Sequence, residues 1–310
     1  MKNLHFLITA AISALILPTA GQSADLETGE LRVGAGDTVQ FYINDQPVNF
    51  RIAPDAVAAP TVNADTAERL GLKASMVRYE FRIGPEKILN RTDNVRYRTP
   101  SDSFRRRTAF SDRQVVEGAE AIAGPAAFPY ERVVLVLREP QAGDRAISFA
   151  LDTEMGRSQT GVLMTVGGHP IYAAFSFDRS ESLVTATGGR WIADANRGWL
   201  SDGAREVPIL YGVERPVRSL TLAEPLMLGD LEVRNLAVRV SDLGSSRGIA
   251  TEAVPEADPN EIVITAESGR KIPNQRLLIG MDTIGHCASI TYDFDASTVT
   301  LMCPAQSAEK

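Results

Sequence analysis

The sequence predicts a mainly β chain made of two similar β-lobes with short helices. Three observations predict it. Short runs alternate apolar and polar residues, with turn-forming residues between them, which is the period of half-buried strands. The chain also resembles itself weakly at an offset of 123, aligning Tyr42-Ile43-Asn44-Asp45-Gln46-Pro47-Val48 with Thr165-Val166-Gly167-Gly168-His169-Pro170-Ile171. Finally, residues 277–303 read as an apolar run stopped by Gly280, a strand, a polar turn and a second strand, flanked by the only two cysteines, Cys287 and Cys303.

Taken in order, residues 4–17 form an apolar segment behind Lys2, followed by Pro18 and small residues up to Ala24. That is short for a membrane span and has the layout of a secretory leader, residues 1–24, with an uncleaved anchor as the alternative. Residues 41–43 and 48–52 flank Asn-Asp-Gln-Pro and read as a hairpin. Asn63 is placed to cap a short helix, residues 64–70, that Gly71 ends. Residues 133–137 are a buried-strand run, and residues 138–144 read as a linker. Further strands are expected at 162–166, 171–177, 207–211, 231–240 and 262–265, with a polar, acidic loop over 243–258.

The repeat extends beyond the matching hairpins. In each copy the strand ends at an aspartate, Asp55 or Asp178. Each copy later has an apolar run closed by glycine and then a strand: Ala121-Ile122-Ala123-Gly124 before residues 133–137, and Leu277-Leu278-Ile279-Gly280 before residues 290–294. The repeat divides the chain into an N-terminal lobe, residues 25–140, and a C-terminal lobe, residues 146–310.

Composition narrows the chemistry. The net charge of −7 argues against a nucleic-acid binder, and Arg105-Arg106-Arg107 reads as a solvated loop or strand end. Beyond the leader, the two histidines, His169 and His286, are far apart, and there is no CxxC. No metal site, redox centre or cofactor is therefore expected. In the closing hairpin, a register in which facing residue numbers add to 590 sets Cys287 opposite Cys303, Ser289 opposite Leu301 and Thr291 opposite Val299, with the tip at Asp295. Facing cysteines can form a disulfide, which suggests an oxidising compartment. Gly244-Ser245-Ser246-Arg247-Gly248 fits G-x-S-x-G, with His286 as a later base. That elbow needs a helix after Ser246, where prolines follow instead, and the chain lacks a βα alternation.

The outlines "NDQPVNFRIAPDAVAAPTVNADTAERLGL", "GGHPIYAAFSFDRSESLV" and "LLIGMDTIGHCASITYDFDASTVTLMC" resemble the retropepsin-like and pepsin-like aspartic protease superfamily over about residues 38–304. The resemblance implies two acid-protease β-barrel lobes with a cleft that handles an extended peptide or protein segment. It also implies one catalytic aspartate per lobe, the two sharing a proton. The chain contains no Asp-Thr-Gly or Asp-Ser-Gly. The family's spacing from Pro47 and Pro170 puts Ala53 and Ser176 in the catalytic slots. A register two residues later puts Asp55 and Asp178 there, with Arg179 beside one of them, and an arginine favours an ionised carboxylate over a shared proton.

Three roles stay open for Asp55 and Asp178: an active dyad, polar remnants of a dead site, or unrelated strand-end aspartates. The matching functions are an aspartic endopeptidase, active or degenerate, and a non-enzymatic peptide- or protein-binding module. Residues 191–220, with Trp191, Trp199 and Tyr211, take the position of the family's cleft-covering flap, with core packing of the three rings as the alternative. The expected setting is secreted, in a bacterial periplasm.

Overall fold

The computed structural model describes residues 29–56, 59–100, 102–152, 160–201, 203–251 and 275–305. The expected leader, residues 1–24, and the expected strand at 262–265 lie outside the described residues.

The first half contributes β1 (Glu30–Gly34), β2 (Thr38–Ile43), β3 (Gln46–Ile52), β4 (Thr61–Val62), β5 (Arg78–Ile83), β6 (Glu86–Arg98), β7 (Ser103–Phe110), β8 (Ala121–Ala123) and β9 (Arg132–Val136), with helix α1 (Ala64–Arg69). The second half contributes β10 (Asp144–Ala150), β11 (Val162–Val166), β12 (His169–Phe175), β13 (Ser182–Val184), α2 (Ala186–Asn196), β14 (Gly198–Leu200), β15 (Arg205–Leu210), β16 (Val213–Leu228), β17 (Leu231–Arg239), β18 (Arg276–Ile279), α3 (Met281–Ile284), β19 (Ser289–Asp293) and β20 (Thr298–Pro304). Among the described residues no helix is long and apolar enough to cross a membrane.

The two halves repeat one strand plan. The first sheet runs β2-β3-β8-β4-β7-β6-β5, and the second runs β11-β12-β18-β13-β17-β16-β14, with β15 also on β16. The senses agree pair by pair. β3 lies parallel to β8 and β12 to β18. β4 and β13 run antiparallel to those partners and parallel to β7 and β17. β3 and β12 stand 123 residues apart at both ends, which is the offset of the sequence repeat.

The sheets differ in closure. Pairing of Tyr42 with Arg98 and Ile43 with Tyr97 closes the first into a six-stranded barrel around Phe41, Phe50, Tyr97 and Phe128. The expectation of a second barrel is not met among the described residues, where the second sheet stays open. Strand β14 pairs with β16 where β2 pairs with β6 in the first sheet, and helix α2 packs against β11, β14, β16 and β17. That contact is tight: a Cβ on Gly189 would lie 2.5 Å from Val238 Cγ1.

A five-stranded sheet, β1-β9-β19-β20-β10, joins the halves. Its closing hairpin carries a correction. The register adds to 591, pairing Ile290 with Leu301 and Tyr292 with Val299, so the expected 590 register is off by one. The reason is burial. Facing residues share one side of the sheet, and these four are all 0% exposed, whereas the 590 register would set Ser289 and Thr291 against Leu301 and Val299. Cys287 precedes the strand, in the turn after α3, and from there it bonds Cys303.

Two smaller readings also change. Asn63 is the N-cap of α1 but makes no side-chain cap bond. It is buried, and its amide bridges the amides of Val115 and Val116 and the carbonyls of Val116 and Ala119. A buried amide needs all its partners, and the 115–119 loop supplies them. Arg105-Arg106-Arg107 is not a loop or a strand end; it lies inside β7, paired to β6.

Candidate functional site

The site forms where two equivalent loops leave β3 and β12. Both are anchored alike: Ala53 donates its N–H to the Ala123 carbonyl and Ser176 to the Ile279 carbonyl, each at 2.9 Å. The apolar-glycine segments therefore lie beside these loops. Gly280 passes so close to the second loop that a Cβ would meet the Glu181 carbonyl carbon at 2.5 Å. Met281 and Asp282 then donate to the carbonyls of Arg179 and Ser180.

Asp55 and Asp178 both reach this junction but have separate partners. The Ser176 hydroxyl donates to Asp55 Oδ2 at 2.6 Å. Arg51, on β3 of the other half, donates to Asp178 Oδ2 at 2.5 Å. Burial pushes the Asp55 carboxyl above the ordinary carboxylate range. The Ser176 bond offsets part of this, and the negative charge of Asp178 adds to it. Asp178 is exposed, and the Arg179 beside it turns away to donate to the Ile209 carbonyl at 3.1 Å.

Two hairpins roof the junction, one from each sheet. β5–β6 turns at Gly84-Pro85 and β15–β16 at Tyr211-Gly212. They meet through a small apolar cluster of Ile83, Ile88, Tyr211 and Val213, with Phe81 edge-on to Tyr211 at 6.4 Å between ring centroids. Beneath them lie two chambers that share Asp55. The smaller, about 180 Å³, is bordered by Asp178, Arg179 and Tyr211. The larger, about 460 Å³, extends over the second sheet to Tyr172, Arg239 and Arg276.

Of the expected flap aromatics, only Tyr211 reaches the roof. Trp191 lies in α2, stacked on His169 at 4.3 Å, and Trp199 lies in β14. The helix and short strand take up the first part of residues 191–220 and leave the hairpin to its middle. Ser246 is no nucleophile: it is buried and donates to the Val240 carbonyl, and the described residues that follow it are turn and bend. His286 lies beside Cys287 and Cys303, but the disulfide occupies both sulfurs.

Chemically, the junction offers one half-buried carboxyl with a raised pKa and one carboxylate tied to a guanidinium. The slots at Ala53 and Ser176 hold no acid. Neither the Ser176–Asp55 bond nor the Arg51–Asp178 pair is legible in the sequence. Both join residues more than 120 positions apart, which no local pattern reports. No protein-family model matches the chain, and no curated protein matches it.

Proposed function

We propose that this chain is an aspartic-protease-like, two-lobed scaffold that holds an extended peptide or protein segment without cutting it. The repeated strand plan, the two loops at its centre and the paired hairpin roof support the scaffold. One observation carries the loss of chemistry: Asp55 and Asp178 are held by different partners, Ser176 and Arg51. A proton-sharing dyad needs two carboxyls at close range with one proton between them. Here one carboxyl takes its hydrogen bond from a serine and the other from a guanidinium. The proposed setting is secreted, in a bacterial periplasm, supported by the leader-like residues 1–24 and by the disulfide.

The test is incubation of the folded protein with a mixed peptide library between pH 3 and 7, read by mass spectrometry, alongside binding of the same library. Binding without new termini is expected. Acid-dependent cleavage that a pepstatin-type transition-state mimic blocks and Asp178→Asn abolishes would overturn the reading in favour of an active endopeptidase. The raised pKa of Asp55 is the observation that favours this second reading, since a general acid must keep its proton.

A further inference from the structure

The five-stranded sheet that joins the halves has an unguarded edge. β10 pairs with β20 along seven residues in unbroken register. Just beyond the ends of β10, the Leu151 N–H donates to the Ser297 carbonyl and the Ala305 N–H donates to the Gly143 carbonyl. Main-chain groups alternate between the two sides of a strand, so Arg145, Ile147 and Phe149 are the residues that bond β20. Ala146, Ser148 and Ala150 point their N–H and C=O groups the other way. Those groups have no partner among the described residues, and the residues themselves are exposed. The chain closes the edge on either side of this window. The Asp144 N–H donates to the Gln141 carbonyl at 3.1 Å and the Asp152 N–H to the Gly161 carbonyl at 2.8 Å.

Free edges template further strands, and charge, proline, brevity or cover ordinarily guards them. The other outer strands follow that rule. β1 carries Glu30 and Arg32, and β5 carries Arg78, Glu80 and Arg82. β14 has three residues, β15 contains Pro208, and β11 lies against α2. β10 has no proline, glycine or bulge, and its charges stand at one end, on Asp144 and Arg145. Asp144 is taken by Arg138 at 2.7 Å. Arg145 is exposed and has no ion-pair partner among the described residues. An opposite charge in the same condition lies near the far end of the strand. A Cβ on Gly229 would lie 2.9 Å from Phe149 Cε1, so the β16–β17 turn sits against Phe149. The next residue in that turn, Asp230, is exposed and likewise without a partner among the described residues.

We infer that β10 pairs with β10 of a second copy of this chain, antiparallel about a twofold axis, with Ile147 opposite the partner's Ile147. In this register Ala146 and the partner's Ser148 exchange two main-chain bonds, and the axis repeats them. The Ala150 N–H reaches the partner's Asp144 carbonyl. Arg145 falls opposite the partner's Phe149, beside the turn that carries the partner's Asp230. Facing residues stand about 5 Å apart, and an arginine side chain spans more than that, so the two unpaired charges meet, twice per dimer. The neighbouring registers are worse. A shift that faces Ala146 with the partner's Ala146 makes the two Arg145 side chains diagonal neighbours. A shift that faces Ser148 with the partner's Ser148 carries Arg145 past the end of the partner's strand. Charge thus selects a second copy, which supplies both halves of the match. β10 lines neither chamber, so this surface is separate from the proposed peptide site.

The experiment is sedimentation velocity of the whole chain over a concentration series, with amide exchange read by NMR at both ends of it. The ladder is short, so a dimer with a Kd of about 10–100 μM is expected. The amides of Ala146, Ser148 and Ala150 should gain protection as concentration rises. Ser148→Pro removes an outward N–H and leaves the bonds to β20, and it should weaken association at least tenfold. Arg145→Glu and Asp230→Lys should each weaken it about tenfold, and the double reversal should restore it to within about threefold. These surface changes keep the test intact if Ser148→Pro fails to fold. A monomer at every concentration would overturn the inference. So would a dimer that leaves those three amides unprotected, or one that ignores the charge reversals. Protection that appears in the monomer only when a peptide library is added would assign the edge to a peptide and overturn it as well.

Discussion

The Ser176 hydroxyl donates to Asp55 across the seam between the two sheets, at 2.6 Å. Ser176 is wholly buried, whereas Asp55 is half-buried and borders both chambers, so water can take over part of the lost bond if the hydroxyl is removed. Ser176→Ala is expected to cost about 0.5–1.5 kcal/mol, the usual net worth of one hydrogen bond. Urea unfolding of wild type, Ser176→Ala, Asp55→Asn and the double variant measures it. Additive losses would show that the two side chains do not act as a pair.

Asp55 also makes a pH prediction with a definite sign. Its folded pKa is raised by burial, so the folded state holds the proton more tightly than the unfolded chain does. That contribution is complete below the ordinary aspartate value and fades as pH rises through the folded pKa. Asp55→Asn should therefore gain stability relative to wild type as pH climbs from 4 toward 8. Unfolding free energies at each pH decide the matter, and a difference that does not change with pH would contradict the burial account. Asp293 works in the opposite direction. Its pKa is lowered by the Ala296 amide and by Arg132, so its contribution is lost only on acidification.

The disulfide gives a third prediction. It closes a loop of 16 residues that spans the whole β19–β20 hairpin. Chain-entropy reasoning assigns about 3 kcal/mol to a loop of that size. Cys287→Ala/Cys303→Ala should lose that amount in urea, and reduction of wild type should lose the same. A loss seen only on reduction would point to the free thiols rather than to the missing link.

The roof provides a fourth. Gly84 sits at φ +60, and a Cβ there would lie 2.4 Å from the Arg215 guanidinium carbon. Gly84→Ala must therefore adopt a backbone conformation costing about 1–2 kcal/mol and displace Arg215 from Asp242. Amide exchange in residues 78–88 and 205–213 should quicken about tenfold or more, with the barrel strands unchanged. Exchange rising evenly over the whole chain would show that the hairpins are not a separable unit.

Much of the scaffold was legible because it is periodic. The 123-residue offset follows from β3 and β12, and Gly124 and Gly280 mark the segments beside their loops. The closing hairpin was legible as a hairpin but not in its register. The cysteines suggested one alignment, and burial of Ile290, Tyr292, Val299 and Leu301 imposed the next. The site was legible only as a place. Asp55 and Asp178 could be paired by position, but their partners, Ser176 and Arg51, come from the opposite half. Of the two readings open for Trp191, packing holds: a helix inserted before the hairpin carries it away from the cleft and against the core without disturbing the strand pattern.

The five-stranded sheet sets how the cleft can work. β9 of the first half is hydrogen-bonded to β19 of the second, and β19 is joined through β20 to β10, which begins the second half. A main-chain ladder across the seam resists hinging far more than a tether would. The halves should move as one body, and on the proposed peptide-holding reading any guest would enter by a local event at the two hairpin tips. Opening of the roof then depends on the few contacts around Tyr211, which lie apart from the sheet that floors the cleft.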